Sequence, residues 1–185
     1  MSNMTKKALA ASLKKMMEQK PLAKITVTDI TEDCGLNRHT FYYHFQDIYD
    51  LVEWIYLTES ENAVGGEITA DTWEEGMRKL LMYAQENKKF IIGTYKSMSR
   101  DYLQKFLHRQ MVALVSLVID GDAQDIQVSE ECKSFVINFY AYAFEGVFLS
   151  WIDSDMKQDP EKLLSMLVTM VQGEGRAALR KFEGR

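Results

Sequence analysis

The 185-residue chain contains little that would interrupt a helix. It has two prolines, Pro21 and Pro160, and only short β-branched runs, which argues against a sheet and predicts a nearly all-helical protein. The two cysteines, Cys34 and Cys132, lack the paired spacing of a zinc site, a redox motif or a disulfide framework, which points to a reducing compartment. No run reaches the roughly 18 consecutive apolar residues of a membrane span. The richest stretch, 135–152, carries Asn138 and Glu145, and Lys6, Lys7, Lys14 and Lys15 break up the N-terminus where a signal peptide would be apolar. A cytoplasmic location with no membrane partner is the expectation.

Catalytic equipment is equally scarce. There is no Walker-type or dinucleotide-binding glycine loop, and the histidines are three, His39, His44 and His108. The first two belong to a motif described below. His108, between Leu107 and Arg109, is read as an exposed histidine, and with no nucleophile–base pair, carboxylate pair or metal cluster the chain is not expected to be an enzyme or to hold a cofactor or metal.

Positive charge is unevenly spread. The net charge is −5, yet residues 1–46 hold seven basic side chains (Lys6, Lys7, Lys14, Lys15, Lys20, Lys24, Arg38) against four acidic ones (Glu18, Asp29, Glu32, Asp33), a net of +3 that leaves −8 for the remainder. A basic head on an acidic body fits a nucleic-acid-binding module joined to a part with another task.

Apolar periodicity and capping residues predict a first helix over 5–20, stopped by Pro21. Thr28 is expected to cap a short second helix ending near Cys34 and Gly35, Asn37 a third over 38–45, and Asp47 a fourth. Asp71, with Glu74 three residues on, restarts the pattern after Gly65 and Gly66. Further helices are expected over 72–87, 88–97, 100–119, 129–154 and 160–182, with Ser99, Ser129 and Asp159 as caps, and 121–128 as a mobile surface loop. The domain boundary is placed inside the fourth helix, giving parts 1–48 and 49–185. Two short helices joined by a glycine-bearing turn form a helix-turn-helix.

The run Ile25-Thr26-Val27-Thr28-Asp29-Ile30, followed by Cys34-Gly35-Leu36-Asn37-Arg38-His39-Thr40-Phe41-Tyr42-Tyr43-His44-Phe45, resembles the DNA-binding signature of TetR-family transcription regulators over about residues 5–56. Its apolar members, Ile25, Val27, Ile30, Leu36, Phe41 and Phe45, suit a small shared core. Arg38, His39 and Thr40, at the start of the recognition helix, suit base-edge readout, and Asn37, the cap beside them, is counted with the DNA-binding residues. Lys24, Thr26, Thr28, Tyr42, Tyr43 and His44 suit phosphate oxygens; Tyr42 and His44 taken alone would more often only stabilise the module, by packing or internal hydrogen bonds, and it is the surrounding signature that favours the DNA role. One position departs from the family pattern: a lysine usually found near the start of the fourth helix is replaced by Gln46, Asp47 and Ile48.

In the body, 135–152 is apolar almost all round, and the last helix offers apolar residues on more than one face. The resemblance implies a homodimer built through the last two helices, with Phe139, Phe148, Trp151, Leu163, Met166, Leu167 and Met170 at the interface, on a palindromic operator with half-sites about one helical turn apart. Residues 140–173, with Trp151 followed by Asp159-Pro160-Glu161, are similar to the C-terminal part of the branch containing the dihydroxyacetone kinase operon regulator. Asn138, Tyr142 and Glu145 recur at i, i+4 and i+7. They either line an effector pocket with Tyr95, Met98, Tyr102 and Arg109, or face water or one another across a dimer. The eleven methionines fit core filling more readily than an adaptable surface. The implied function is an all-α DNA-binding regulator, most often a repressor in this family, controlled by an unidentified small molecule. The alternative is a protein-binding adaptor of the same fold with no effector pocket.

Overall fold

The computed structural model describes residues 2–66, 68–122 and 125–184. Among these residues the regular structure is all helical, with no strand, and comprises an N-terminal helix-turn-helix and a helical C-terminal part. The chain divides into two compact units, Met1–Asn62 with Asn87–Arg100, and Ala63–Glu86 with Asp101–Arg185.

The first unit starts with α1 (Ser2–Met17), a 3₁₀ turn (Leu22–Lys24), α2 (Val27–Asp33), α3 (Arg38–His44) and α4 (Ile48–Val64), and it also takes in α6 (Lys88–Ser97). Leu9, Leu13, Ile30, Phe41, Leu51, Val52 and Ile55 make its interior, all of them completely buried. The expected bend after Pro21 is therefore partly a 3₁₀ turn, and α6 packs on that turn and on α1. Tyr56 of α4 is bonded to the buried Thr94 of α6, and burial pushes its phenol far up from the usual range. Lys14 of α1 reaches Glu59 (2.7 Å) and Asn87 (3.0 Å), the residue that opens α6.

The second unit holds α5 (Trp73–Glu86), α7 (Arg100–Asp122), α8 (Glu130–Asp153), α9 (Pro160–Val171) and α10 (Glu174–Arg180). α5 packs along α9, and α10 folds back against α8 and α9. α8 is apolar and long enough to cross a membrane by length and composition. It nevertheless buries Val136, Ile137, Ala141, Phe144, Trp151 and Ile152 within the unit and carries a buried Glu145.

Local capping chemistry places most helix starts where the sequence predicts them. Asn37, Asp47, Ser129 and Asp159 each accept a backbone N–H three residues on, and Pro160 follows at the first helical position. Three expectations change. The second helix is capped by Thr26, not Thr28, because Thr26 and Asp29 bond reciprocally as a capping box. α5 begins at Trp73, two residues after Asp71, with the Thr72 hydroxyl accepting the Thr69 N–H. The helix expected over 160–182 is two helices, since Gly173 takes φ +74, a left-handed conformation that glycine adopts without strain and that ends α9. Of the loop expected over 121–128, Ala123 and Gln124 lie outside the described residues, and α7 runs on to Asp122.

Between α8 and α9 the chain turns through Asp155 and Met156, both with positive φ. That backbone is held by Met156 N–H on Trp151 O (2.8 Å), by the Trp151 indole N–H on Gln158 O (2.9 Å), and by burial of the Met156 side chain.

Truncating Phe41 to alanine is expected to cost about 3–5 kcal/mol, whereas Asp159→Ala, which removes only a cap, costs about 1 kcal/mol. Urea denaturation followed by circular dichroism separates the two.

Candidate functional site

α2 and α3 have seven residues each, too short to be stable alone, so their ends and buried faces must hold them. Asp29 closes the α2 cap. The Thr26 N–H first, then the Lys20 ammonium, lower its carboxyl below the usual range. Gly35, at φ +64, makes the turn between the helices. Phe41 and Phe45 bury one side of α3, their rings 5.8 Å apart.

Burying that side leaves the opposite one open. Lys24, Thr26, Asn37, Arg38, His39, Tyr42 and Tyr43 are exposed, Tyr43 at 83%, while Thr28, Thr40 and His44 are half-buried. Asn37 has a structural duty, since its Oδ1 accepts both the Thr40 N–H (2.8 Å) and the Thr40 hydroxyl (3.0 Å). Arg38 lies over the Tyr42 ring, 5.9 Å from its centroid, and donates from Nη2 to the phenol oxygen at 3.4 Å. His44 stands edge-on to Tyr43 with centroids 4.9 Å apart. The surface therefore offers one guanidinium, two phenols, two imidazoles and two helix N-termini, all groups that bond phosphates or base edges.

Electrostatically, several head lysines are engaged in ion pairs within the chain. Lys14 pairs with Glu59, Lys15 with Asp33 (2.7 Å) and Lys20 with Asp29 (3.0 Å). Lys6 lies 5.4 Å from the Phe45 ring centroid and 5.7 Å from that of Trp54. Where the family usually has a lysine, the start of α4 has two carboxylates, Asp47 accepting Asp50 N–H and Asp50 accepting Gln46 N–H, both at 2.9 Å.

In the second unit, Asn138, Tyr142 and Glu145 do come together, around a residue that the sequence reading set aside. His108 is not an exposed histidine; its side chain is 22% exposed. Its Nδ1 is 2.9 Å from Glu145 Oε2, its Nε2 is 3.2 Å from Asn138 Oδ1, and its ring stacks on Tyr142 at 4.1 Å. Glu145 is only 3% exposed, so it does not face water. Arg109, beside His108 in sequence, is exposed and lies over the Phe106 ring. Tyr102 is exposed on α7, while Tyr95 and Met98 belong to the first unit, Met98 buried there.

An apolar surface runs along α8 and α9. Phe135, Phe139 (62% exposed), Tyr142 and Val147 are open on the first, Met166 and Met170 (72%) on the second, and Phe148 and Leu167 are half-buried. Trp151 and Leu163 instead fill the interior of the unit, because Trp151 serves the turn described above and Leu163 packs inward in the first turns of α9.

The same unit contains a cavity of about 210 Å³ among α5, α7, α8 and the α9–α10 break. Trp73, Val115, Ile119, Tyr140, Phe144 and Val171 form its apolar wall, and Glu74, Gln172 and Arg176 its polar one. None of the seven residues predicted for an effector lines it. Tyr140 and Phe144, which do, sit on α8 between the predicted ones.

Residues 9–55 match the family described as "Bacterial regulatory proteins, tetR family", and residues 71–173 match "Transcriptional regulator C-terminal region". The chain is 25% identical over 171 residues to the HTH-type dhaKLM operon transcriptional activator DhaS of Lactococcus lactis subsp. lactis, covering 92% of this chain and 90% of that protein. It is also similar to the solved structure of a dihydroxyacetone kinase operon activator DhaS, with TM-score 0.71 and 25% identity over 97% of this chain and 98% of that one.

Removing His108 strands a buried carboxylate. His108→Ala is expected to lower unfolding free energy by about 3 kcal/mol, and adding Glu145→Gln in that background recovers part of the loss. Chemical denaturation of the single and double variants checks the pair.

Proposed function

The chain belongs to the TetR family of bacterial transcriptional regulators, and on that premise we propose that it binds a palindromic operator as a homodimer and changes its grip when a small molecule occupies its C-terminal part. The observation that carries the reading is α3 itself. Buried on Phe41 and Phe45, it turns Arg38, His39 and Tyr43 outward beside two capped helix N-termini.

In this reading residues 1–48 hold the DNA contacts. Arg38 reads a base edge, steadied by Tyr42; His39 and Thr40 flank it, with Asn37 as the cap that sets the helix start. Tyr42, Tyr43, His44, Lys24 and the α2 start at Thr26 and Thr28 meet phosphates. With Lys14, Lys15 and Lys20 engaged internally, one head has few cations for DNA, which favours two heads on one operator. The apolar face of α8 and α9, led by Phe139, Met166 and Met170, supports pairing of two chains, with Phe148 and Leu167 at its margin. Residues 49–185 are the regulatory and dimerisation part, and the protein works in the cytoplasm where its DNA is.

Helix α6 supports the coupling. It follows α5 directly in the chain, yet packs with α1 and bonds α4 through Tyr56 and Thr94, so a shift of α6 reaches α4, the helix that follows α3. An effector acts only through different affinities for two such arrangements. Family habit points to repression. The related sequence and the similar solved structure both carry the name of an operon activator, DhaS, and that favours activation here.

Purified protein is expected to bind DNA from its own promoter region specifically and more weakly as salt rises. Arg38→Ala loses about 1–3 kcal/mol of discrimination at one base pair, while Tyr43→Phe weakens all sequences alike. Electrophoretic mobility shift at several salt concentrations measures both. Absence of any specific site would instead favour a protein-binding adaptor. A promoter-fusion reporter with and without the chain decides the sign of regulation.

A further inference from the structure

The α5–α7–α8–α10 cavity has a chemical character of its own. At about 210 Å³ it has room for roughly seven waters at ~30 Å³ each, hence for one compact organic molecule. Three of its lining residues are aromatic, Trp73, Tyr140 and Phe144, with Trp73 edge-on to Phe144 at 6.5 Å. Such rings present electron-rich faces.

Glu74, the neighbour of Trp73, is half-buried in that lining, and no side chain or backbone donor among the described residues bonds its carboxylate. The positive group in the wall is already occupied: Arg176 holds Asp125 with both terminal nitrogens, at 2.7 and 2.5 Å. A further carboxylate lies close by, since burial first and then the negative charge of Glu174 raise the Tyr140 phenol above its usual range. Carboxylates thus outnumber cations here, Glu74, Asp125 and Glu174 against Arg176 and the Arg180 that also acts on Asp125, and residues 47–185 as a whole are acidic.

An anion would meet the Glu74 carboxylate here, with that of Glu174 close by, and a neutral apolar ligand would leave the Glu74 carboxylate desolvated without a partner. A compact organic cation satisfies both the carboxylate and the rings. We propose that this cavity is a binding site for a small organic ammonium ion, its charge set against Glu74 and its alkyl groups against Trp73, Tyr140 and Phe144. As an effector site it rests on the reading that a small molecule controls the regulator; as a binding site it does not.

Titration calorimetry on the intact protein uses choline as the probe, beside its neutral isostere 3,3-dimethylbutanol and the anion 3,3-dimethylbutyrate. Choline is expected to bind about tenfold tighter than the alcohol, and the anion not at all. Glu74→Gln brings choline down to the level of the alcohol while leaving the alcohol unchanged, which also shows that the cavity is still folded; Glu74→Asp keeps the preference for the cation. Equal binding of choline and the alcohol, preference for the anion, no saturable binding of any of the three, or a cation preference that survives Glu74→Gln overturns the proposal. A mobility shift run in parallel separates the two readings. Choline that binds without changing operator affinity leaves the site standing and removes its effector role, whereas a protein that binds no operator fails as a regulator whatever the calorimetry shows.

Discussion

Everything proposed for the DNA-facing surface depends on burying one side of a seven-residue helix. α3 is too short to persist by its own hydrogen bonds, so its direction is set by where Phe41 and Phe45 go. With those rings inside, i and i+4 geometry sends Arg38 with Tyr42, and His39 with Tyr43, to the outside. The caps at Thr26 and Asn37 then fix the two helix starts, and Gly35 permits the bend between them. Stability and recognition share one helix but use opposite sides of it.

What the sequence made legible follows the range of the interaction concerned. Caps act over three residues, so Asn37, Asp47, Ser129 and Asp159 were readable, and so was the helix-turn-helix signature, whose residues lie close together. The Thr26 cap was missed although it obeys the same rule, because Thr28 beside it had an equally suitable side chain and the Asp29 reciprocity decided between them. At the last helix, apolar periodicity outweighed the glycine signal, although Gly173 and Gly175 lie two residues apart.

Burial was harder to read, because it depends on partners remote in sequence. Glu145 and Asn138 lie 37 and 30 residues from His108, and periodicity on α8 cannot show which residue of α7 meets them. A long helix that is apolar on all sides likewise does not show which of its residues turn inward; Trp151 does and Phe139 does not. Charge counting had the same weakness. Three of the head lysines that made its balance positive are held by carboxylates in the first unit, two of them acids counted in that same balance.

The break at Gly173 separates two jobs that one continuous helix would have tied together. α9 keeps its open methionine side, while the residues just past the break, Gln172, Gly173, Gly175 and Arg176, line the cavity. Substitutions in this short hinge alter the cavity wall without touching Met166 or Met170. Over evolutionary time the lining of the cavity can therefore change while the open methionine side of α9 stays the same.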